Sequence, residues 1–283
     1  MTLSQRIAFI GAGNMASALI EGLLGAKTCA PEHILATDVR ADALAALAAR
    51  QGIRTTADNA VAVRDADVVV LATKPQVFDT LLPELAAHVD ASKLVLSIAA
   101  GVSTAVIERQ LGAGVRVVRA MPNTPALVRT GATAIAAGTH AGPQDMELAE
   151  TVFRSVGIVE RVPEALMDAV TGLSGSGPAY VFLMIEALTA AGVGEGLPQK
   201  TAAALVVQTV LGAARLLQES GETPEALRRK VTSPGGTTAA GIERFEQGGF
   251  RDLIADAVRR ATERGAELGA LAAGTPGKPH TGR

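Results

Sequence analysis

The apolar run Arg6-Ile-Ala-Phe-Ile10 passes directly into Gly11-Ala-Gly-Asn-Met-Ala16, and a helical pattern carrying Leu19, Ile20, Leu23 and Leu24 follows at once. Strand, glycine turn and helix in that order constrain the chain to begin with a β-turn-α unit. In the pattern G-x-G-x-x-A, Gly11 permits the tight turn and Gly13 lets the backbone approach a pyrophosphate. Ala16 allows the helix to pack closely on the strand. The free N–H groups and positive dipole end of that helix then suit phosphates. A glycine pair alone also occurs in ordinary turns, but here the strand, the helix and the units that follow single out a dinucleotide.

The alternation continues. Ile34–Thr37, Val68–Leu71, Leu94–Ile98 and Val115–Val118 are short and nearly all apolar, as strands covered on both faces are. Helical patterns lie between them at Ala41–Arg50, Gln76–Ala87 and Thr104–Leu111. This predicts βαβ units closing into a doubly wound parallel sheet of the Rossmann type. Ala132–Ala137 and Gly157–Val162, flanking a helix near Asp145–Ser155, extend that sheet. After about residue 164 strand-like runs vanish. Pro178–Ala191, Leu197–Glu219, Pro224–Val231, Thr237–Gln247 and Arg251–Leu268 have helical spacing, so the second half is expected to be all α. Its apolar stripes, such as Leu205, Val206, Val210, Leu211 and Leu217, exceed what so few helices can hide, which predicts dimerisation. There is no internal repeat, and the Pro/Gly-rich tail from Gly274 is expected to be disordered.

Composition narrows the function classes. With 283 residues the chain suits two domains of the usual size. Its 26 basic and 28 acidic residues give a net charge of -2 without a basic block, so neither nucleic acid nor an anionic membrane surface is expected as a partner. The mean hydropathy is positive. Yet the longest uncharged run, Ala169–Ile185, holds three Gly and one Pro and is shorter than the roughly 20 apolar residues of a membrane span. No apolar leader precedes Ile7, and the single cysteine, Cys29, leaves no intramolecular disulfide. A soluble cytoplasmic protein is the expectation.

Several segments place polar groups where such sheets bind ligands, at the carboxyl ends of strands. Asp38, 22 residues beyond Ala16, is placed to accept from a ribose 2′-OH and favour NAD, whereas Arg40 is placed to hold a 2′-phosphate and favour NADP. Solvated loop charges are the plain alternative for both. In Ala72-Thr-Lys-Pro75, Lys74 is in reach of a phosphate or ribose, or is simply surface. The small residues of Ser97-Ile-Ala-Ala-Gly101 suit close passage of a cofactor or tight packing. In Met121-Pro-Asn-Thr-Pro125, following the sixth strand, two prolines stiffen a loop whose Asn123 and Thr124 suit a nicotinamide amide; a rigid structural turn is the alternative.

Thr171-Gly-Leu-Ser-Gly-Ser-Gly-Pro-Ala-Tyr180 reads as a helix-capping or close-packing loop. None of His33, His88, His140 and His280 is placed by local sequence to activate Ser174 or Ser176. No Cys/His spacing indicates a metal. The segment Val231-Thr-Ser-Pro-Gly-Gly-Thr-Thr238 combines a polar loop (Ser233, Gly235, Gly236) with a helix start at Thr237 and Thr238. Free N–H groups there can clamp a carboxylate, and a Thr hydroxyl can reach another substrate atom. Taken alone, the segment would be a plain N-cap.

At these residues the chain closely resembles the pyrroline-5-carboxylate reductase family. The resemblance runs from the Gly11 loop to about Leu268. Its most specific parts are Arg119-Ala-Met-Pro-Asn-Thr-Pro125, Asp168–Tyr180 and Val231–Thr238. It implies a Rossmann domain, here 1–164, and a helical dimerisation and substrate domain, 165–270, ahead of a tail, 271–283. It further implies a homodimer with each active site at the subunit interface, and larger rings such as a decamer of dimers. Carried over position by position, NADPH, with NADH as the alternative, meets Gly11, Ala12, Gly13, Asn14, Met15, Ala16, Asp38, Asn59, Thr73, Lys74, Pro75, Ala99, Ala100, Met121 and Asn123. The substrate carboxylate meets backbone at Thr237 and Thr238, with Ser233 and Gly236 beside it. The catalytic Thr238 hydroxyl meets the ring nitrogen, and Glu164 lines the site. NADP-preferring members often carry Ser, Asn or Arg in place of Asp38, so the cofactor preference stays open.

The reaction implied is hydride transfer from reduced nicotinamide to the C=N carbon of 1-pyrroline-5-carboxylate, giving L-proline in the last step of proline synthesis. Two other readings stand beside it. A 3-hydroxyacid dehydrogenase-like reductase would need a lysine near the substrate carbonyl, and only Lys200 and Lys230 are candidates, neither in a matching motif. A non-catalytic nucleotide-binding partner would have no use for the Ser233–Thr238 loop.

Overall fold

A computed structural model describes residues 3–272. Its elements in chain order are β1 (Ile7–Ile10), α1 (Asn14–Gly25), β2 (Ile34–Thr37), α2 (Ala41–Gln51), β3 (Arg54–Thr56), α3 (Asn59–Asp65), β4 (Val68–Leu71), α4 (Phe78–Ala86), β5 (Leu94–Ser97), α5 (Thr104–Leu111), β6 (Arg116–Met121), β7 (Gly131–Ala137), α6 (Pro143–Arg154) and β8 (Gly157–Arg161). The helical part follows with α7 (Met167–Val170), α8 (Gly177–Gly194), α9 (Gln199–Ser220), α10 (Pro224–Lys230), α11 (Thr237–Gln247) and α12 (Phe250–Ala272).

The eight strands form one sheet in the order β3-β2-β1-β4-β5-β6-β7-β8. β1, β2, β4 and β5 are buried along their whole length, which is why they read as apolar runs rather than as alternating patterns. Alternate residues serve the two faces. Ile7, Phe9, Val68, Val70, Leu94 and Leu96 pack under α1, α2 and α6, through Leu19, Leu23, Leu47, Val152 and Phe153. Ala8, Ile10, Val69, Leu71 and Val95 pack under α3, α4 and α5, through Val63, Leu82, Leu85 and Ile107. The expected doubly wound core is therefore present.

Four local expectations change. β3 pairs with the β2 edge through Arg54, Thr55 and Thr56, which are half-buried or exposed, so it carries no apolar signature. β6 runs on to Met121 instead of ending at Val118, because β7 pairs with it antiparallel, Met121 opposite Ala134. Met121 thus terminates the strand rather than following it. The chain between Met121 and Gly131 is too short for the crossover of a dozen or more residues that a parallel neighbour requires. The Gly/Ser-rich run expected as a loop is instead a π-helical turn, Thr171–Gly175. Its hydroxyls are spent on carbonyls one turn back: Thr171 Oγ1 to Met167 O at 2.9 Å, Ser174 Oγ to Val170 O at 3.2 Å and Ser176 Oγ to Thr171 O at 3.0 Å. Finally, residues 271 and 272 complete α12; the remainder of the expected tail lies outside the described residues.

The chain divides into two compact units, one reaching Ser176 and resuming at Arg260, the other Gly177–Arg259. This differs from the boundary expected at 164/165. Met167 is fully buried against Ala134 and Ala136, and Glu164 and Asp168 pair with Arg119 of β6, so this stretch belongs to the sheet. The C-terminal half of α12 returns to the same unit. A Cβ on Gly269 would stand 2.7 Å from the Gly101 carbonyl oxygen, a contact only glycine allows.

In the second unit α8 and α9 pack on each other, with Gly192 of α8 meeting Ala202. Thr189 and Ala202 are buried there, while Phe182, Leu183, Met184, Leu205, Val207, Leu211 and Leu216 are exposed. Of the stripe expected from the sequence, Leu205 and Leu211 are exposed and Val206, Val210 and Leu217 half-buried, so much of that apolar face is open among the described residues. The helical stretches Glu164–Gly194 and Gln199–Ser220 are in fact long and apolar enough to cross a membrane. An uncharged run does not reveal them, because flanking charged residues lengthen each helix beyond the run.

Candidate active site

Strand order reverses between β1 and β4: β2 lies to one side of β1 and β4 to the other, all parallel. The crevice at the carboxyl ends of these two strands is the place where open α/β sheets bind ligands. Both expected loops meet there. Gly11 has φ +103°, and a Cβ on it would lie 2.9 Å from the Ala72 carbonyl oxygen and 3.0 Å from Thr73 Cγ2. Only glycine lets β1 turn this close to the segment leaving β4. Gly13, the N-cap of α1, has ordinary extended backbone, and a Cβ there would meet nothing within 4 Å. Its lack of a side chain is not required by the protein's own packing. Ala16 is buried against the strand layer, as the motif requires.

The residues around this crevice fit a dinucleotide. The first N–H groups of α1 have no preceding helical carbonyl to bond. Thr73 Oγ1 is buried with no hydrogen-bond partner among the described residues, an unsatisfied donor directly beside the glycine loop. Lys74 is exposed and begins the 3-10 turn Pro75–Val77. Ala99 is buried and Ala100 half-buried on the next strand end, so small residues line the neighbouring edge.

Several polar side chains named from the sequence are already committed. Asn59 accepts from Thr37 Oγ1 at 2.7 Å and donates to Glu84 Oε1 at 3.2 Å. Asn123 uses both ends of its amide: Oδ1 accepts from Ala132 N at 2.9 Å, and Nδ2 donates to Ser174 O at 3.0 Å. It braces the Met121–Pro125 segment between β7 and the π-helical turn. Asp38 accepts from the Ala12 N–H of the glycine loop at 2.9 Å and pairs with Arg40. Burial pushes its carboxyl up, but the hydrogen bonds from the Arg40 side chain and backbone and from Ala12 outweigh this and hold it below the usual carboxylate range.

Glu164 is half-buried in a charge cluster around the buried Arg119. Its Oε1 accepts from Arg119 Nη1 and from Thr104 N, both at 3.1 Å. Arg119 Nη2 lies 3.5 Å from Asp168 Oδ1. The Arg119 side chain is only 5% exposed, and the cluster ties β6, the start of α5 and the segment leading into α7 together. Sequence alone assigns Arg119 no role, because Val115–Ala120 carries two arginines, Arg116 and Arg119, and nothing local separates them.

In the second unit the turn Ser233–Gly236 precedes α11. Gly235 has φ +70°, Gly236 N donates to Ser233 O at 3.0 Å, and Gly236 is an extended N-cap. Ser233, Thr237 and Thr238 are exposed, so the open N–H groups at the helix start and the Thr238 hydroxyl are presented together. Lys230, a candidate for the hydroxyacid chemistry, is held by Glu222 at 2.6 Å.

Comparison with known proteins matches these two regions separately and the chain as a whole. Residues 164–268 match the family described as pyrroline-5-carboxylate reductase dimerisation, and residues 6–101 match the family described as NADP oxidoreductase, coenzyme F420-dependent. The pyrroline-5-carboxylate reductase of Methanosarcina acetivorans is 49% identical over 266 residues, covering 94% of this chain and 98% of that one. The enzyme of Pseudomonas aeruginosa is 46% identical, covering 94% and 97%. Among solved structures, a pyrroline-5-carboxylate reductase from Coxiella burnetii superposes with a TM-score of 0.90 at 42% identity, covering 94% of this chain and 99% of that chain. The Plasmodium falciparum enzyme, solved with NADP bound, gives 0.85 at 30% identity, covering 95% and 100%. A prephenate dehydrogenase from Aquifex aeolicus, at 16% identity and a TM-score of 0.53, shares the fold alone. The chain therefore belongs to the pyrroline-5-carboxylate reductase family.

Proposed function

We infer that this protein reduces 1-pyrroline-5-carboxylate to L-proline, the last step of proline biosynthesis, with NADPH or NADH as donor. The observation that carries this is identity of 46–49% over 94% of the chain to reductases of that name. Fold likeness alone would not discriminate, because prephenate dehydrogenase shares the architecture.

The glycine loop with the N-terminus of α1, Thr73–Pro75, Ala99, Ala100 and Met121 hold the dinucleotide, while Asp38, Asn59 and Asn123 fix the loops that contact it. The reduced nicotinamide supplies the hydride when bound. The N–H groups of Thr237 and Thr238, with Ser233 and Gly236 beside them, clamp the substrate carboxylate at the start of α11. The Thr238 hydroxyl holds the ring nitrogen. A cyclic imine protonates far more readily than a ketone, and its iminium is already electrophilic, so the site needs no strong general acid. Orientation supplies much of the rate, since effective molarities correspond to roughly 7–11 kcal/mol in well-oriented systems. Glu164, tied to Arg119 and to the Thr104 N–H, fixes β6 against the start of α5 within the first unit.

The region matched to the dimerisation family contains both long apolar helical stretches, so their exposed faces are assigned to subunit contact and the protein is a soluble homodimer. Function divides near residue 164, where that match begins. A decamer of dimers and a cytoplasmic location are carried by the family resemblance and the composition, and sedimentation of the full chain reads the first directly.

Following NAD(P)H consumption with the cyclic imine tests the activity: turnover is expected, and its absence with both donors would overturn the assignment. Thr238→Ala should lower kcat/KM by about 10–100-fold, the value of one hydrogen bond to a charged group. Unchanged kinetics would remove Thr238 from the mechanism.

A further inference from the structure

The residues at the end of β2 bear on which dinucleotide is selected. An acidic side chain reads a ribose 2′-OH only if a carboxylate lone pair is left for it. Asp38 has none to spare. Its Oδ2 accepts from Ala12 N at 2.9 Å and from Arg40 Nη2 at 3.3 Å, and its Oδ1 accepts from Arg40 N at 3.0 Å and from Arg40 Nε at 3.1 Å. The Asp38 side chain is 11% exposed and that of Arg40 58% exposed. The carboxylate is turned inward on the glycine loop, and the guanidinium rests on it facing outward.

We propose that Asp38 braces the glycine loop instead of reading the ribose, and that Arg40, seated on it, is the specificity residue that selects the dinucleotide carrying a 2′-phosphate. The proposal rests on the dinucleotide site argued above. A bare carboxylate at this position would repel a phosphate dianion. Paired with Arg40 it is neutralised, and a phosphate approaching from solvent meets the outer edge of a guanidinium whose geometry is already fixed. A ribose hydroxyl gains no comparable contact. The neighbouring Thr37 hydroxyl offers none either, because it is buried and spends its proton on Asn59.

Calorimetric titration of the full chain with adenosine 2′,5′-bisphosphate and with adenosine 5′-monophosphate tests this without turnover. The 2′-phosphate should tighten binding by about 10–100-fold, as expected for a charge-assisted contact, and the advantage should shrink as salt rises. Arg40→Ala should erase that ratio, and Arg40→Lys should keep part of it. Asp38→Ala should weaken both nucleotides together, since Ala12 loses its acceptor. Equal affinity for the two nucleotides in the parent protein, an unchanged ratio in Arg40→Ala, or selective loss of the 5′-monophosphate in Asp38→Ala would each overturn the proposal. If neither nucleotide binds the parent protein, the dinucleotide site itself is wrong.

Discussion

Replacing Gly13 with valine is expected to weaken NADPH and NADH binding by about 100-fold or more, equivalent to roughly 3 kcal/mol, with thermal stability nearly unchanged. The separation follows from local geometry. The Gly13 backbone is extended, with φ -74° and ψ -177°, which any residue adopts, and a Cβ there touches no protein atom within 4 Å. The added side chain would occupy the open side of the glycine loop, where the pyrophosphate must approach backbone N–H groups. Gly11→Val makes the contrast, because its positive φ and the Ala72 carbonyl oxygen 2.9 Å from the added Cβ direct the cost into folding. Fluorescence titration of the reduced cofactor beside a melting curve separates the two. Normal NADPH affinity in Gly13→Val would refute the loop assignment.

Arg119→Met should destabilise the protein by about 2–3 kcal/mol. Removing one partner of a buried pair costs about 3–5 kcal/mol when the remaining charge is fully buried. Here Glu164 and Asp168 keep 27% and 34% of their side-chain exposure, so water screens part of the loss. Methionine fills the volume but leaves Glu164 with the Thr104 N–H as its remaining donor. The effect should appear as a lower urea midpoint at constant slope, with Arg119→Lys intermediate because it restores charge without the planar fork. A midpoint that does not move would show that the cluster contributes nothing to stability.

Much of the first unit was legible before any coordinates. Strands such as Val68–Leu71 are covered on both faces, so burial itself writes an apolar run into the chain. The glycine loop was legible for the same reason: its requirements act within six residues. What was not legible depended on partners distant in sequence. β3 is held at a sheet edge by backbone pairing to β2, which leaves no mark on its side chains. The π-helical turn satisfies its serines locally, so a Gly/Ser run that resembles a loop can stay helical.

The same distinction separates the named site residues. Gly11, Gly13 and the Ser233–Thr238 turn act through their own backbone, and short-range sequence suffices to find them. Asp38, Asn59, Asn123 and Glu164 are expected contacts as well, and what the sequence does not show is that each side chain is held by a residue between 2 and 60 positions away. Sequence by itself determined the Rossmann class, the helical second half and the segments that carry the chemistry, because periodicity and turn chemistry are local properties of the chain. Tertiary structure alone decided the antiparallel β7, the return of α12 to the first unit and the partners that occupy each polar side chain, because a hydrogen bond is allotted by proximity in space, which spacing along the chain does not encode.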